Sequence, residues 1–244
     1  MRKKHCEYLF IECEEMLGQI EEIIDRHIKE TEDPTIVVPK IKSFLEHCRS
    51  SLEYCAQDIF QYVVTQSGRE KKLKSKNKNV YFPYGKDVAA FNQSIEKNLP
   101  GLSDTLIRNL ILGLQDFSKF KNEKFLSYMC KLTNENKHDQ LTEPSRQINK
   151  GISIGGFLSA DESSTIIVNG ATFNGLPTGN FAIRNASIEG DINPVLLSEV
   201  LKWENGFFVF EDQNLNVINF LRLCLEEIQD FCASFYKRLE EAFI

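Results

Sequence analysis

A chain of 244 residues, 42% of them hydrophobic, is long enough to bury a substantial core, either as one large domain or as a domain with a sizeable insertion. Its formal net charge of −6 and pI near 5.4 exclude a protein that coats nucleic acid or anionic membrane over its whole surface, leaving room only for a local basic patch. No run approaches the roughly 18 apolar residues of a membrane span. Met1-Arg2-Lys3-Lys4-His5 leads into Glu12, Glu14 and Glu15 rather than the apolar core of a secretory signal, so a cytoplasmic protein with no membrane partner is expected.

In chain order, residues 5 to 30 carry Leu9, Cys13, Met16, Leu17, Ile20, Ile24 and Ile28 at the three-and-four spacing of an amphipathic helix. Thr31 to Pro34 breaks it. Pro39 opens a second helical pattern through Ile41, Phe44, Leu45, Cys48, Leu52, Cys55, Ile59, Tyr62 and Val63. Arg49 and Glu53 stand four residues apart on this helix, as a surface ion pair or as part of a polar site. From Arg69 to Lys78, six basic residues fall within ten positions: Arg69, Lys71, Lys72, Lys74, Lys76 and Lys78. Without an apolar period this run reads as a solvated, mobile loop, and alternatively as an arm that contacts RNA phosphates. It ends at Val80-Tyr81-Phe82-Pro83-Tyr84-Gly85, an aromatic turn expected to pack across a helix end. Short helices follow at about 87 to 98 and 103 to 115, then another from Phe125 to about Gln140.

That last helix finishes in Asn134, Lys137, His138 and Asp139, with Asn134 and His138 one turn apart. His138 reads either as a C-terminal histidine bonded to the last carbonyls or as a general acid or base near neutral pH. His5, His27 and His47 are isolated, and no H-x-x-x-H or Cys/His set suggests a metal or other cofactor. The seven cysteines, Cys6, Cys13, Cys48, Cys55, Cys130, Cys224 and Cys232, fall within helical apolar patterns and read as free thiols serving as small core hydrophobes.

After Lys150 the composition changes. Residues 151 to 206 hold eight of the 13 glycines and only Arg184 and Lys202 among basic residues. Ile152 to Ile154, Thr165 to Val168, Phe181 to Ile183 and Phe207 to Phe210 are short strand-forming runs, separated by turn signals such as Asn169-Gly170 and Asn205-Gly206. A small antiparallel sheet is expected, not a nucleotide loop. Val217 to Phe243 then carries the longest apolar stripe of the chain. The expected fold is α+β: a mainly α-helical bundle over 1–148, an antiparallel β insertion over 149–212, and a C-terminal helix over 213–244 that returns to the bundle.

Five segments in order are similar to a widespread family of uncharacterised bacterial proteins: Arg49-Ser-Ser-Leu-Glu-Tyr54, Tyr81-Phe-Pro-Tyr84, Leu99-Pro-Gly-Leu102, Leu114-Gln-Asp-Phe117 and Leu132-Thr-Asn-Glu-Asn-Lys-His-Asp-Gln-Leu141. The family's counterparts are an R-S-A-L-D-H helix, an F-P turn, an L-Q-P-Y segment and an N-x-x-x-K-H-R-x-L motif. The resemblance covers about residues 40 to 142. Those proteins in turn resemble HEPN-like helical bundles, a superfamily rich in ribonucleases and in toxin and antiphage components. It implies a HEPN-like bundle, RNA as a target, a partner protein of a defence or toxin system, and a homodimer. It implies for Arg49, Glu53, Asn134, Lys137 and His138 the roles of a ribonuclease site. The superfamily's Arg, four to six residues, His signature is incomplete, because no arginine lies between Arg108 and Arg146, and Asp139 stands where a basic residue usually follows the histidine. The alternative from another class is a non-catalytic interaction protein that docks a partner through its sheet or a helical surface.

Overall fold

The computed structural model describes residues 1–30, 37–120, 123–138 and 143–243, with the side chains of 27–30, 135–138 and 243 outside the description. The chain is α+β, with antiparallel strands following most of the helices. It divides into two compact units, Met1–Pro144 with Phe210–Ile244, and Ser145–Val209.

In the first unit, three long helices pack pairwise: α1 (Lys3–Glu30), α2 (Val37–Tyr62) and a C-terminal helix, Val217–Phe243. The reason lies in their stripes. On α2, Ile41, Phe44, Leu45, Cys48, Leu52, Cys55 and Ile59 are all buried, the same residues whose spacing predicts the helix. Each large apolar side chain so buried contributes about 1.5–3 kcal/mol. Asp58 sits in this apolar seam at 0% exposure. It accepts hydrogen bonds from the Arg2 backbone N–H (2.6 Å), the Arg2 guanidinium and the Tyr236 hydroxyl (3.0 Å), so one carboxylate ties the start of α1 and the C-terminal helix to α2.

The basic run is not a loop throughout. Its first half is a helix, α3 (Gln66–Lys74), capped by Thr65, whose hydroxyl accepts from the Gly68 N–H at 3.2 Å. Arg69 donates to the carbonyls of Gln61 (3.1 Å) and Val64 (2.5 Å), which lie where α2 ends. Lys72 is 2% exposed, and its amine donates to the Lys97 carbonyl at 2.8 Å. Burial, with the Lys97 charge adding to it, pulls that amine below the usual lysine range. Two of the six cations therefore hold the helix in place, while Lys71, Lys74, Lys76 and Lys78 are exposed.

Next come α4 (Val88–Asn98), α5 (Thr105–Gly113), a 3₁₀ turn at Asp116–Ser118 and α6 (Leu126–His138). Asp87 and Asp104 are N-caps of α4 and α5, and Asp116 accepts three backbone N–H bonds, from Phe125, Leu126 and Ser127, at the start of α6. The α6 helix packs on α2, and α5 on the C-terminal helix. Farther along α6, Lys131 donates to Asp212 at 2.6 Å and the Tyr128 hydroxyl donates to the same carboxylate.

Desolvation of Asp212 opposes ionisation, yet the bonds from Lys131 and Tyr128 hold its carboxyl below the usual carboxylate range. A depressed carboxylate stabilises the fold above its unfolded value, about 3.9, and loses that contribution as pH falls through the folded value. The stability gap between wild type and Asp212→Asn, measured by urea midpoints, is therefore expected at pH 7 and should narrow progressively as pH falls below about 3.9. A gap that is unchanged at low pH would show that the carboxylate charge contributes nothing.

The second unit holds strands β1 (Ser145–Ile154), β2 (Leu158–Asp161), β3 (Ile166–Val168), β4 (Thr172–Phe173), β5 (Leu176–Pro177), β6 (Gly179–Arg184) and β7 (Ser187–Ile192), then a short helix α7 (Pro194–Leu197) and β8 (Val200–Phe210). In place of the one sheet expected, β1 pairs antiparallel with β2 and β8, β6 with β3 and β7, and β4 with β5. Ile152, Ile154, Ala160, Phe181, Ile183 and Leu196 form its core. Asn205-Gly206, read as a turn, lies inside β8, where Asn205 pairs with Asn149 and Gly206 with Ile148. The cross-strand ladder overrides the local turn propensity. The tight turn falls instead at Asn185-Ala186, both at positive φ (49° and 53°), between β6 and β7. Gly151 faces Trp203 across the ladder, and a methyl group there would overlap the indole ring. A short β9 (Leu215–Asn216) leads into α8, the C-terminal helix (Val217–Phe243). Among the described residues, no helix is long and apolar enough to cross a membrane.

Candidate functional site

Packing of α6 on α2 brings together residues 85 positions apart. Arg49 Nη1 donates to the Asn134 side-chain oxygen at 2.7 Å, to Thr133 Oγ1 at 2.6 Å and to the Cys130 carbonyl at 3.4 Å. Arg49 and Glu53 do form the four-residue pair, at 3.8 Å, but their side chains are only 18% and 25% exposed. In this half-buried setting the pair is part of a network and not an isolated surface contact, because Glu53 also accepts the Phe82 backbone N–H at 2.8 Å.

Through that bond the aromatic turn is fixed to α2. Phe82 is buried edge-on against Phe231, with ring centroids 5.4 Å apart. Gln57 donates to the Val80 carbonyl at 3.0 Å. Fully buried Gln115 donates to the Pro83 carbonyl (3.3 Å) and accepts the Gly85 N–H (3.0 Å). Gly85 lies so close to α4 that a Cβ would overlap the backbone of Ala90 and Phe91. The turn is thus held at both ends, with Phe82 inside and Tyr81 and Tyr84 on the outer side.

Above this network lies a cavity of about 670 Å³, whose lining includes Arg49, Tyr81, Tyr84, Gln93, Lys97 and Asn134. Burial pushes the Tyr84 phenol above the usual tyrosine range. Burial also raises the Cys130 thiol, to about 12. Tyr84 and Cys130 are therefore neutral at physiological pH, and the cavity's charge comes from Arg49, which is paired with Glu53, and from Lys97. Two phenols, a guanidinium, an amine and the amide side chains of Gln93, Asn98 and Asn134 suit a planar aromatic ligand that carries negative charge.

Of the residues singled out in the sequence, Arg49, Glu53 and Asn134 converge here. Lys137 and His138 lie within α6, and their side chains fall outside the described residues. Asp139 lies beyond the described residues as well. Arg69 and Lys72 are occupied with backbone carbonyls, and Lys71 is 3.6 Å from Glu96 in an exposed pair. Tyr81, Tyr84, Gln93 and Lys97 belong to the cavity without having been singled out as site residues. The pair of tyrosines flanking Phe82-Pro83 was the available signal, since a turn that buries one ring presents its neighbours outward.

No metal-ligating group of three or more lines this cavity among the described residues; one such group, Cys6, Cys55 and Cys232, lies in the helical core. No protein-family profile matches the chain, and neither a curated protein nor a solved structure does.

Proposed function

We propose that this protein is a HEPN-like RNA-targeting protein of the toxin or antiphage kind, which takes a nucleotide of single-stranded RNA into the Arg49–Asn134 cavity and cleaves the strand with His138. The observation that carries this reading is the Arg49–Asn134 bond at the floor of a cavity flanked by Tyr81 and Tyr84. Aromatic rings stack on an unstacked base, worth about 1–3 kcal/mol per base, and a guanidinium donates to the oxygens of the adjoining phosphate.

Cleavage without a metal needs a base for the 2′-hydroxyl, charge beside the phosphorane and an acid for the leaving oxygen. The 2′-oxygen, on losing its proton, bonds to phosphorus as the P–O5′ bond breaks, and the departing oxygen takes up a proton. The products are a 2′,3′-cyclic phosphate and a 5′-hydroxyl. His138, four residues beyond Asn134, takes the 2′-hydroxyl proton and solvent water protonates the departing 5′-oxygen; Arg49 and Lys137 supply charge; Asn134 orients the phosphate; Glu53 holds Arg49 and the turn.

The test is a binding and cleavage assay on end-labelled single-stranded RNA. Wild type should bind with an affinity that falls steeply with salt, and should cut. Tyr81→Ala should weaken binding by about 10- to 100-fold. His138→Ala should lower cleavage at least 100-fold while changing stability by no more than about 1 kcal/mol. Absence of binding at low salt, or full cleavage by His138→Ala, would overturn the assignment. The exposed Ile167 (61%) on edge strand β3 favours the second reading, a non-catalytic protein that docks a partner by strand addition. A stoichiometric partner lost on Ile167→Lys, with no RNA bound, would select it.

A further inference from the structure

The seven buried cysteines, six on α1, α2 and α8 and one on α6, are not equivalent. Cys13 on α1 and Cys48 on α2 lie 3.9 Å apart at one level of the bundle, sealed at 0% exposure. One level away, Cys6 of α1, Cys55 of α2 and Cys232 of α8 bring three sulfurs within 4.8 Å of one another, with Cys55 and Cys232 at 3.4 Å. This second level has an entrance. A cavity of about 270 Å³ between α1 and α8 is lined by Cys6 and Cys232 together with Lys3, Phe10, Gln229 and Tyr236.

We propose that Cys6, Cys55 and Cys232 form a three-sulfur site for a thiophilic divalent cation of the zinc class, its fourth position facing the cavity and filled by water. The geometry fits: Zn–S bonds of about 2.3 Å in a tetrahedron place sulfurs roughly 3.8 Å apart, within the range the three thiols already span. Small side-chain rotations complete it, with no movement of helices. The charge argues for a divalent ion. Three thiolates around a monovalent cation leave two negative charges in the core beside Asp58, whereas a divalent cation leaves one.

The surroundings behave as an outer layer for such a site. Tyr236 Oη lies 3.7 Å from Cys6 Sγ and donates to Asp58, so this hydroxyl links the sulfur cluster to the buried carboxylate. Metal entry displaces the S–H protons into water, so affinity falls as pH is lowered.

The experiment uses the full, untagged, reduced chain under anaerobic conditions, titrated with Co²⁺ and then Zn²⁺. Wild type should develop a thiolate-to-cobalt charge-transfer band that saturates at one equivalent and is bleached by one equivalent of Zn²⁺, with a higher melting temperature in the zinc-loaded protein. Cys55→Ala and Cys6→Ala should each weaken binding at least 100-fold. Cys13→Ala, equally buried in the neighbouring level, should leave it unchanged. Circular dichroism identifies variants that retain the helical fold, and either of the first two suffices. A folded wild type that shows no saturable band, or one whose band survives in a folded Cys55→Ala or Cys6→Ala variant, overturns the proposal.

Discussion

Asp58→Ala is expected to destabilise the helical unit by about 3 kcal/mol, the range for removing one partner of a buried charged pair. The carboxylate is fully buried and satisfies donors from two other helices. Its loss strands the Tyr236 hydroxyl, which is 1% exposed, and the Arg2 N–H, each of which keeps the desolvation penalty of an orphaned donor. The Arg2 side chain is 35% exposed and can turn to water, so it adds little. Urea denaturation of Asp58→Ala, Tyr236→Phe and the double variant checks this. The two substitutions should couple, and Asp58→Leu with Tyr236→Phe should recover much of the loss because no donor at Tyr236 is left unsatisfied. A change under about 1 kcal/mol for Asp58→Ala would mean that the network is energetically idle, as many surface pairs are.

Gln115→Ala should be nearly as costly and should reach the cavity indirectly. Its amide is fully buried, donating to Pro83 and Ile111 and accepting from Gly85, so truncation leaves polar backbone groups without partners. About 2 kcal/mol is expected in a denaturation midpoint analysis. Gln115 is absent from the cavity wall, yet the turn bearing Tyr81 and Tyr84 depends on it. RNA affinity should therefore drop about tenfold or more while the cavity side chains stay intact, since ordering the turn must then be done at the time of binding. Affinity unchanged in a destabilised but folded variant would show that Glu53 and Gln57 hold the turn alone.

The parts of the fold that depend on local periodicity are legible in the chain. Ile41 to Ile59 and Leu221 to Leu239 declare buried faces because the helical period is written in side-chain type. Helix α3 is not legible, because it is held by polar bonds that leave no apolar stripe: Thr65 accepts the Gly68 N–H as its cap, and Arg69 and Lys72 donate to the carbonyls of Val64 and Lys97. Asn205-Gly206 misleads for the same reason in reverse: a good local turn loses to ten registered pairs between β1 and β8. At the candidate site, Arg49, Glu53 and Asn134 are recognisable as polar residues on apolar helices, but their meeting depends on how α2 and α6 pack. The three-sulfur cluster is harder still. Each cysteine looks like a small core residue within its own helix, and only convergence from three distant segments gives them chemistry.

The division of the chain also sets an order of events during synthesis. The helical unit is closed by 210–244, which follow the whole of the strand-rich unit. While a nascent chain reaches only to Val209, the seam between α1 and α2 lacks Tyr236 over Asp58, and the thiols of Cys6 and Cys55 lack Cys232. The strand-rich unit, continuous from Ser145 to Val209, can complete its ladders in that interval. Long-range helix pairing then comes last, with loop-closure entropy already reduced because the intervening segment is compact. Until α8 docks, the apolar faces of α1 and α2 remain open, and that is the stage at which this protein is most dependent on chaperones and most exposed to aggregation.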